Sequence, residues 1–158
     1  MFRALRRTKR AISEKETRQL LHNEKRGVFA VNGDDGYPFA VPVDYYYDET
    51  NGKIYFHGAK SGYKVDALKK SDKVCFTVYG GETYEEGDWA PYVKSAVIFG
   101  RCRMIDELDI VTDKVRLLAG KYYPSDDEVE AEIAKDIKAA MLYEITIEHM
   151  CGKRIHEK

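Results

Sequence analysis

The sequence predicts a mainly β protein, a closed barrel or sandwich of about six strands carrying few, short helices. Three observations support this. Apolar and polar residues alternate over several stretches, most clearly from Phe39 to Tyr47. Gly-, Asn- and Asp-rich clusters separate those stretches at short intervals. The chain is also rich in strand-favouring aromatics, with 12 tyrosines and 6 phenylalanines among 158 residues.

Taken in chain order, Ser13-Glu14-Lys15-Glu16 has the form of a capping box. It opens a short helix to about His22, with Ile12, Leu20 and Leu21 as its apolar contacts and Gly27 as its end. A strand follows over Val28–Val31, then a tight turn over Asn32–Gly36. In the long alternating strand that comes next, Phe39, Val41, Val43, Tyr45 and Tyr47 share a face. Pro42 cannot donate to a ladder, so it implies an edge, a bulge or a break. A second turn, Asp48–Gly52, leads to a return strand over Lys53–His57, with Ile54 and Phe56 on one side and Tyr55 and His57 on the other. A loop over Gly58–Gly62 and a helix from about Tyr63 to Lys70 precede a strand marked by Val74, Phe76 and Val78. Gly80–Pro91 is acidic and irregular, and reads as a mobile loop. Tyr92–Ile105 is a long strand, 108–120 and 126–139 are helices, and Met141, Tyr143, Ile145 and Ile147 mark the last strand.

Composition narrows the function classes. With 26 basic and 27 acidic residues the formal charge is −1, which does not suggest a nucleic-acid binder. No apolar run reaches the roughly 20 residues that cross a bilayer. The length suits one domain over residues 1–158. Cys75, Cys102 and Cys151 are odd in number, widely spaced and set in apolar runs, so they read as reduced packing residues and the expected location is cytoplasmic. Arg3, Arg6, Arg7, Lys9 and Arg10 make the N-terminus basic, as a solvated arm or the positive lip of an anion site.

There is no Gly-x-Gly-x-x-Gly, Walker loop, His-Glu-x-x-His or Cys-x-x-Cys, and no metal is expected from His149 and Cys151 alone. The informative stretch is Ile54 to Lys64, where a strand ends in a loop of small residues and a helix begins. A helix N-terminus offers free N–H groups and the positive end of the dipole, a site for phosphate. Lys60 and Lys64 bracket it, although the macrodipole disfavours cations there unless an anion joins them. The plain alternative is that both lysines face water and the glycines serve the turn.

The stretch Tyr55-Phe56-His57-x-Ala59 with Gly62-x-Lys64 resembles the phosphate loop of the pyridoxamine-phosphate-oxidase-like, FMN-binding split-barrel proteins. The similarity is greatest to the branch that includes the nitroimidazole-resistance proteins. It extends, in order, over Arg6-Arg7-x-x-Arg10, Gly36-Tyr37-Pro38-x-x-Val41-Pro42-Val43, Ser95–Gly100 and Gly152-Lys153-Arg154. The resemblance implies a six-stranded antiparallel split β-barrel and a homodimer with flavin mononucleotide (FMN) at its interface. It also implies roles residue by residue. Lys64, with Ser61, Gly62 and Tyr63, would hold the phosphate. Phe56 and His57 would flank the ribityl chain, and Val41, Pro42 and Val43 would lie along the ring edge. Tyr92 and Ser95 would reach the partner's flavin, and Lys153 would approach from the tail.

His57 is the candidate proton donor for reduction of a nitro group or quinone, or a residue that merely hydrogen-bonds phosphate or backbone. The chain departs from true pyridoxamine-phosphate oxidases. It has no Trp-Arg-Pro stretch, its one tryptophan is Trp89, and Arg154-Ile155-His156 only faintly echoes their substrate clamp. Vitamin B6 oxidation is therefore not expected. The expected function is FMN-dependent reduction of small oxidised molecules with a nicotinamide or other donor. The alternative is a non-catalytic flavin- or haem-binding protein.

Overall fold

Seven strands form one antiparallel sheet in the computed structural model, which describes all residues from Met1 to Lys158. They are β1 (Arg26–Asn32), β2 (Pro38–Asp44), β3 (Tyr46–Asp48), β4 (Lys53–Ala59), β5 (Lys73–Thr83), β6 (Tyr92–Ile105) and β7 (Ala140–His156). Their order is β2-β1-β5-β6-β7-β4-β3. The outermost strands, β2 and β3, are thus consecutive in the chain and separated by Tyr45 alone. A flat sheet cannot place its two edges one residue apart, so the sheet curls into a barrel. No ladder joins β2 to β3, and that seam is the split. The architecture is the split barrel expected from the sequence. The seventh strand arises because the long alternating stretch breaks at Tyr45 and its two halves pair with different neighbours, β1 and β4. Pro42 accordingly lies on an edge strand.

The seam is closed by side chains. Four helices accompany the sheet: α1 (Glu14–Asn23), α2 (Tyr63–Lys70), α3 (Leu108–Gly120) and α4 (Asp126–Asp136). Just past α3, the Tyr122 hydroxyl accepts from the Tyr45 N–H at 2.8 Å and lies 2.8 Å from the Tyr45 carbonyl. Lys121 donates to the carbonyls of Tyr45 and Glu24 and lies over the Tyr45 ring. The Tyr45 side chain is fully buried and donates to the Leu21 carbonyl at 2.7 Å. Backbone groups that leave a ladder inside a protein must find such partners.

The barrel core is aromatic. Phe56 stacks on Tyr143 at 4.7 Å and tilts against Phe29, and all three are enclosed. Truncating a phenylalanine buried like Phe56 to alanine costs about 3–5 kcal/mol. Leu20 and Leu21 of α1 and Val65, Ala67 and Leu68 of α2 join this core. The capping box is present, Ser13 Oγ accepting from the Glu16 N–H at 3.1 Å. The helix it starts ends at Asn23, and Gly27 belongs to β1, where a Cβ would collide with the Phe76 ring. A smaller cluster outside the barrel packs Val111, Val115 and Ala119 of α3 and Val129 and Ile133 of α4 on Tyr55, Ile105 and Leu142.

The last strand runs well past Ile147. Phe99 pairs with His149 but Gly100 with Ile147, so Glu148 is an extra residue in β7. This bulge shifts the inward set from Tyr143, Ile145 and Ile147 to Met150 and Gly152. A period-2 reading stops where the alternation changes phase, which is why it ends the strand early. β5 likewise continues to Thr83, into the segment expected to be loop.

Candidate functional site

β4 carries the chain from the barrel wall to the loop before α2. Inside the barrel, Phe56 belongs to the core stack and is fully enclosed, so it sets the position of the strand. His57, one residue on, points outward and is exposed. It lines a groove of about 420 Å³ with Arg26, Pro42, Val43 and Asp44. The split brings β2 and β4 together here although they share no ladder. Val41 stands opposite Phe29 in the β1–β2 ladder and is half-buried.

His57 also borders a second cavity of about 180 Å³ beneath α3 and α4. Its lining includes Leu118, Tyr122, Ile133 and the carboxylates Asp44, Glu132 and Asp136. Although one side of the ring is exposed, the atoms packed around the other withdraw it partly from water and push the His57 pKa down, while Asp44 and then Glu132 pull it back up. The net direction is below the ordinary histidine value, so the ring is neutral at neutral pH. A neutral imidazole can donate one N–H and accept at its other nitrogen.

Beyond Ala59 the loop residues Lys60, Ser61 and Gly62 are exposed. Gly62 has φ 125° and caps α2 without a side chain. The first hydrogen bond of the turn runs from the Asp66 N–H to the Gly62 carbonyl, leaving the N–H groups at the head of the helix free to meet a ligand. Tyr63 stacks on Phe39 at 4.2 Å, and its hydroxyl accepts from the Asp34 N–H at 2.7 Å, which ties the loop to the β1–β2 turn. Lys64 folds back past Gly58, its ammonium 6.0 Å from the centre of the Tyr143 ring. It is absent from the ion pairs of the molecule. A half-buried cation without a carboxylate, beside free helix N–H groups, makes this end of the barrel suited to an anion.

The remaining sequence-predicted residues lie elsewhere. Tyr92 and Ser95 are on β6 and Lys153 on β7, with Ser95 directly opposite Lys153. None of them lines the His57 groove. Tyr92 stacks on His156 at 4.4 Å. Within one chain the structure gathers Pro42, Val43 and His57 at one groove, while Ser95 and Lys153 lie opposite each other on β6 and β7 and Tyr92, three residues from Ser95, falls on the other face of β6. Asp44 and Arg26, which pair at 3.2 Å beside His57, were not singled out from the sequence. Their signal was weak, because a charged residue at a strand end ordinarily faces water.

Comparison with known proteins places the architecture. Against curated protein sequences the chain finds no match. Among solved structures it is similar to a candidate 5-nitroimidazole antibiotic resistance protein from Bacteroides thetaiotaomicron, with TM-score 0.75, 18% identity and coverage of 92% of this chain and 87% of that one. A conserved hypothetical protein from Mycobacterium tuberculosis aligns with TM-score 0.79, 18% identity and coverage of 95% and 89%. An FAD- and haem-binding protein from Mycobacterium smegmatis aligns with TM-score 0.72, 19% identity and coverage of 95% and 74%. Residues 13–154 match the family model described as pyridoxamine 5'-phosphate oxidase. That span runs from the cap of α1 to the tail of β7 and takes in every strand of the barrel except the end of the last, so the chain belongs to the pyridoxamine 5'-phosphate oxidase family.

Proposed function

We propose that the protein is an FMN-dependent oxidoreductase that reduces small oxidised molecules, nitroaromatic or quinone-like, with electrons from a nicotinamide or other donor. The observation that carries this reading is the α2 loop. Free N–H groups at the head of the helix, Gly62 at positive φ and the unpaired Lys64 together fit one phosphate. The groove beside His57, walled by Pro42 and Val43, is the place this reading gives to the ring. When bound, the flavin supplies the redox chemistry, and the protein supplies position and surroundings.

The roles of this chain's own residues follow from their placement. Ser61, Gly62, Tyr63 and Lys64 hold the phosphate. Phe56, locked in the core stack, fixes the strand that sets His57 at the groove. Val41 supports Pro42 and Val43 along the ring edge. His57, neutral and exposed to the groove, holds an N–H that can be directed at a substrate oxygen as negative charge develops there. Tyr92, Ser95 and Lys153 complete the site from a second copy of the chain, giving a homodimer with two equivalent sites.

The test is the spectrum of the purified protein, chromatography of released cofactor, and anaerobic titration with NADH or NADPH. FMN that bleaches on titration supports the reading. FAD, or no flavin affinity after reconstitution, overturns it. FMN that stays oxidised favours the second reading, a flavin-binding protein without reductase activity. Similarity to an FAD- and haem-binding protein extends that second reading to haem. His57 would then be the histidine free to hold such a group, because His22 pairs with Glu49, His156 with Asp88, and His149 stacks against Phe2.

A further inference from the structure

The basic N-terminus is held in place. Thr8–Arg10 form one 3-10 turn, Ala11 bridges Lys153 on β7, and the Ile12 N–H donates to the Gly152 carbonyl at 3.1 Å. Ile12 and Thr17 pack so closely on Gly152 that a Cβ there would lie 2.2 Å from Thr17 Oγ1. The docked arm and the end of the β6–β7 ladder enclose a polar cleft of about 380 Å³, lined by Lys9, Arg10, Glu16, Tyr92, Arg154 and His156 among others. That volume lies within the ordinary range for small-molecule sites.

The charges in this cleft are unbalanced. Its one carboxylate, Glu16, is engaged by the Ser13 N–H at 3.1 Å and by Lys94 at 3.6 Å. His156 is bound to Asp88 at 3.0 Å, and Asp88 is shared with Lys158. Of the residues lining the cleft, Lys9, Arg10 and Arg154 enter none of the ion pairs of the molecule, and neither do Arg3, Arg6 and Arg7 earlier on the same arm. The chain as a whole carries −1, so this is a local excess. Holding like charges together on a docked arm is unfavourable until an anion joins them. Arg154 sits over the Tyr92 ring at 4.6 Å, so the floor of the cleft pairs a guanidinium with an aromatic platform.

We propose that this cleft binds the diphosphate of a nucleotide. Guanidinium groups match phosphate oxygens two at a time. A concave cleft of this size admits two phosphates and an adjoining ring, whereas a nucleic acid strand would call for a longer basic track. The cleft lies apart from the α2 loop of its own chain; Tyr92 is the one residue it shares with the flavin site proposed for the dimer, and Lys9, Arg10 and Arg154 are not part of that site. The same chemistry is offered by ADP and by a dinucleotide electron donor.

Calorimetry on the purified protein tests this with pyrophosphate, ADP, AMP, NADH and NADPH as probes, at low and moderate salt. Pyrophosphate and ADP are expected to bind, AMP more weakly, with affinity falling as salt rises. Arg10→Glu and Arg154→Ala are each expected to weaken ADP binding about tenfold or more, the loss of one charge-assisted contact. Lys135→Glu, a charge reversal on α4, should leave it unchanged. Circular dichroism checks that each variant is folded. Displacement of ADP by NADH or NADPH identifies the donor as the source of the diphosphate; ADP binding without displacement identifies a free nucleotide. Any of four results overturns the proposal: no pyrophosphate or ADP binding at millimolar concentration, equal losses in Lys135→Glu, release of flavin by pyrophosphate, or length-dependent RNA binding without ADP binding.

Discussion

At the scale of single residues, Lys64 has the most to say about function. A surface lysine near a helix start is ordinarily paired or fully solvated. Lys64 is half-buried, lies over Tyr143 and has no carboxylate partner. If its ammonium meets the flavin phosphate, Lys64→Ala removes a charge-assisted hydrogen bond worth roughly 1.5–3 kcal/mol. FMN affinity should fall roughly 10- to 100-fold. Riboflavin lacks the phosphate, so its affinity should barely change. Flavin fluorescence quenching measures both ligands, and equal losses would assign Lys64 to the fold instead. The sequence flagged this lysine through its position beside a glycine loop. It gave no sign of the neighbouring Arg26–Asp44 pair, since those residues meet His57 only across the split.

At the scale of elements, the break between β2 and β3 depends on the segment after α3. The Tyr122 hydroxyl accepts from the Tyr45 N–H and shares its one proton between the Lys25 and Tyr45 carbonyls, and burial keeps it protonated by raising its pKa to about 12. Tyr122→Phe leaves the Tyr45 N–H without its partner, a loss of about 1–3 kcal/mol. Urea unfolding should show it as a lower midpoint with an unchanged slope. Lys121 makes a separate, pH-dependent contribution. Burial lowers its pKa to about 8, below the ordinary lysine value of 10.5. Between those two values the unfolded chain binds more protons than the folded one, so stability rises with pH there. The cost of the buried charge is present in full below the lower value. Relative to Lys121→Met, which carries no charge to titrate, the wild type should therefore gain stability from about pH 7 to about pH 9.5. Parallel unfolding curves at each pH provide the measurement. A difference that stays flat would place Lys121 in solvent.

At the scale of the whole molecule, the outer face of β5–β6–β7 is the surface without a cover. Val97 is half-buried and Phe99 exposed there, flanked by the half-buried Cys75 and Cys151. Helices α3 and α4 do not cover this face, as they would in a sandwich. They pack instead on Tyr55, Ile105 and Leu142. Phe2 stacks on Phe99 at 5.6 Å and screens part of the patch. An apolar strand face left open on an otherwise charged surface suits a second copy of the chain. Light scattering at micromolar concentration should give a dimer, and Val97→Arg with Phe99→Glu should give a folded monomer that no longer retains flavin. A wild-type monomer with full FMN occupancy would remove the shared site.

Local pattern was enough for the class of fold and most of its parts. The capping box at Ser13 and the loop before α2 rest on near neighbours in the chain, and the alternation from Phe39 to Tyr47 and the extent of β6 record which residues of a strand are buried, so all four leave a mark in the sequence. Three features depended on partners far away. Tyr45 interrupts a perfect alternation because its backbone bonds to Tyr122 and Lys121, more than seventy residues later. Glu148 is a bulge because β6 and β7 change register at Phe99 and Gly100, and a Cβ on Gly100 would lie 2.3 Å from the Thr146 carbonyl oxygen. The groove at His57 exists because the curl of the sheet sets β2 beside β4 without a ladder between them. Periodicity records which face of an element is buried. It carries no record of which distant element buries it, and that was decided by the closure of the barrel.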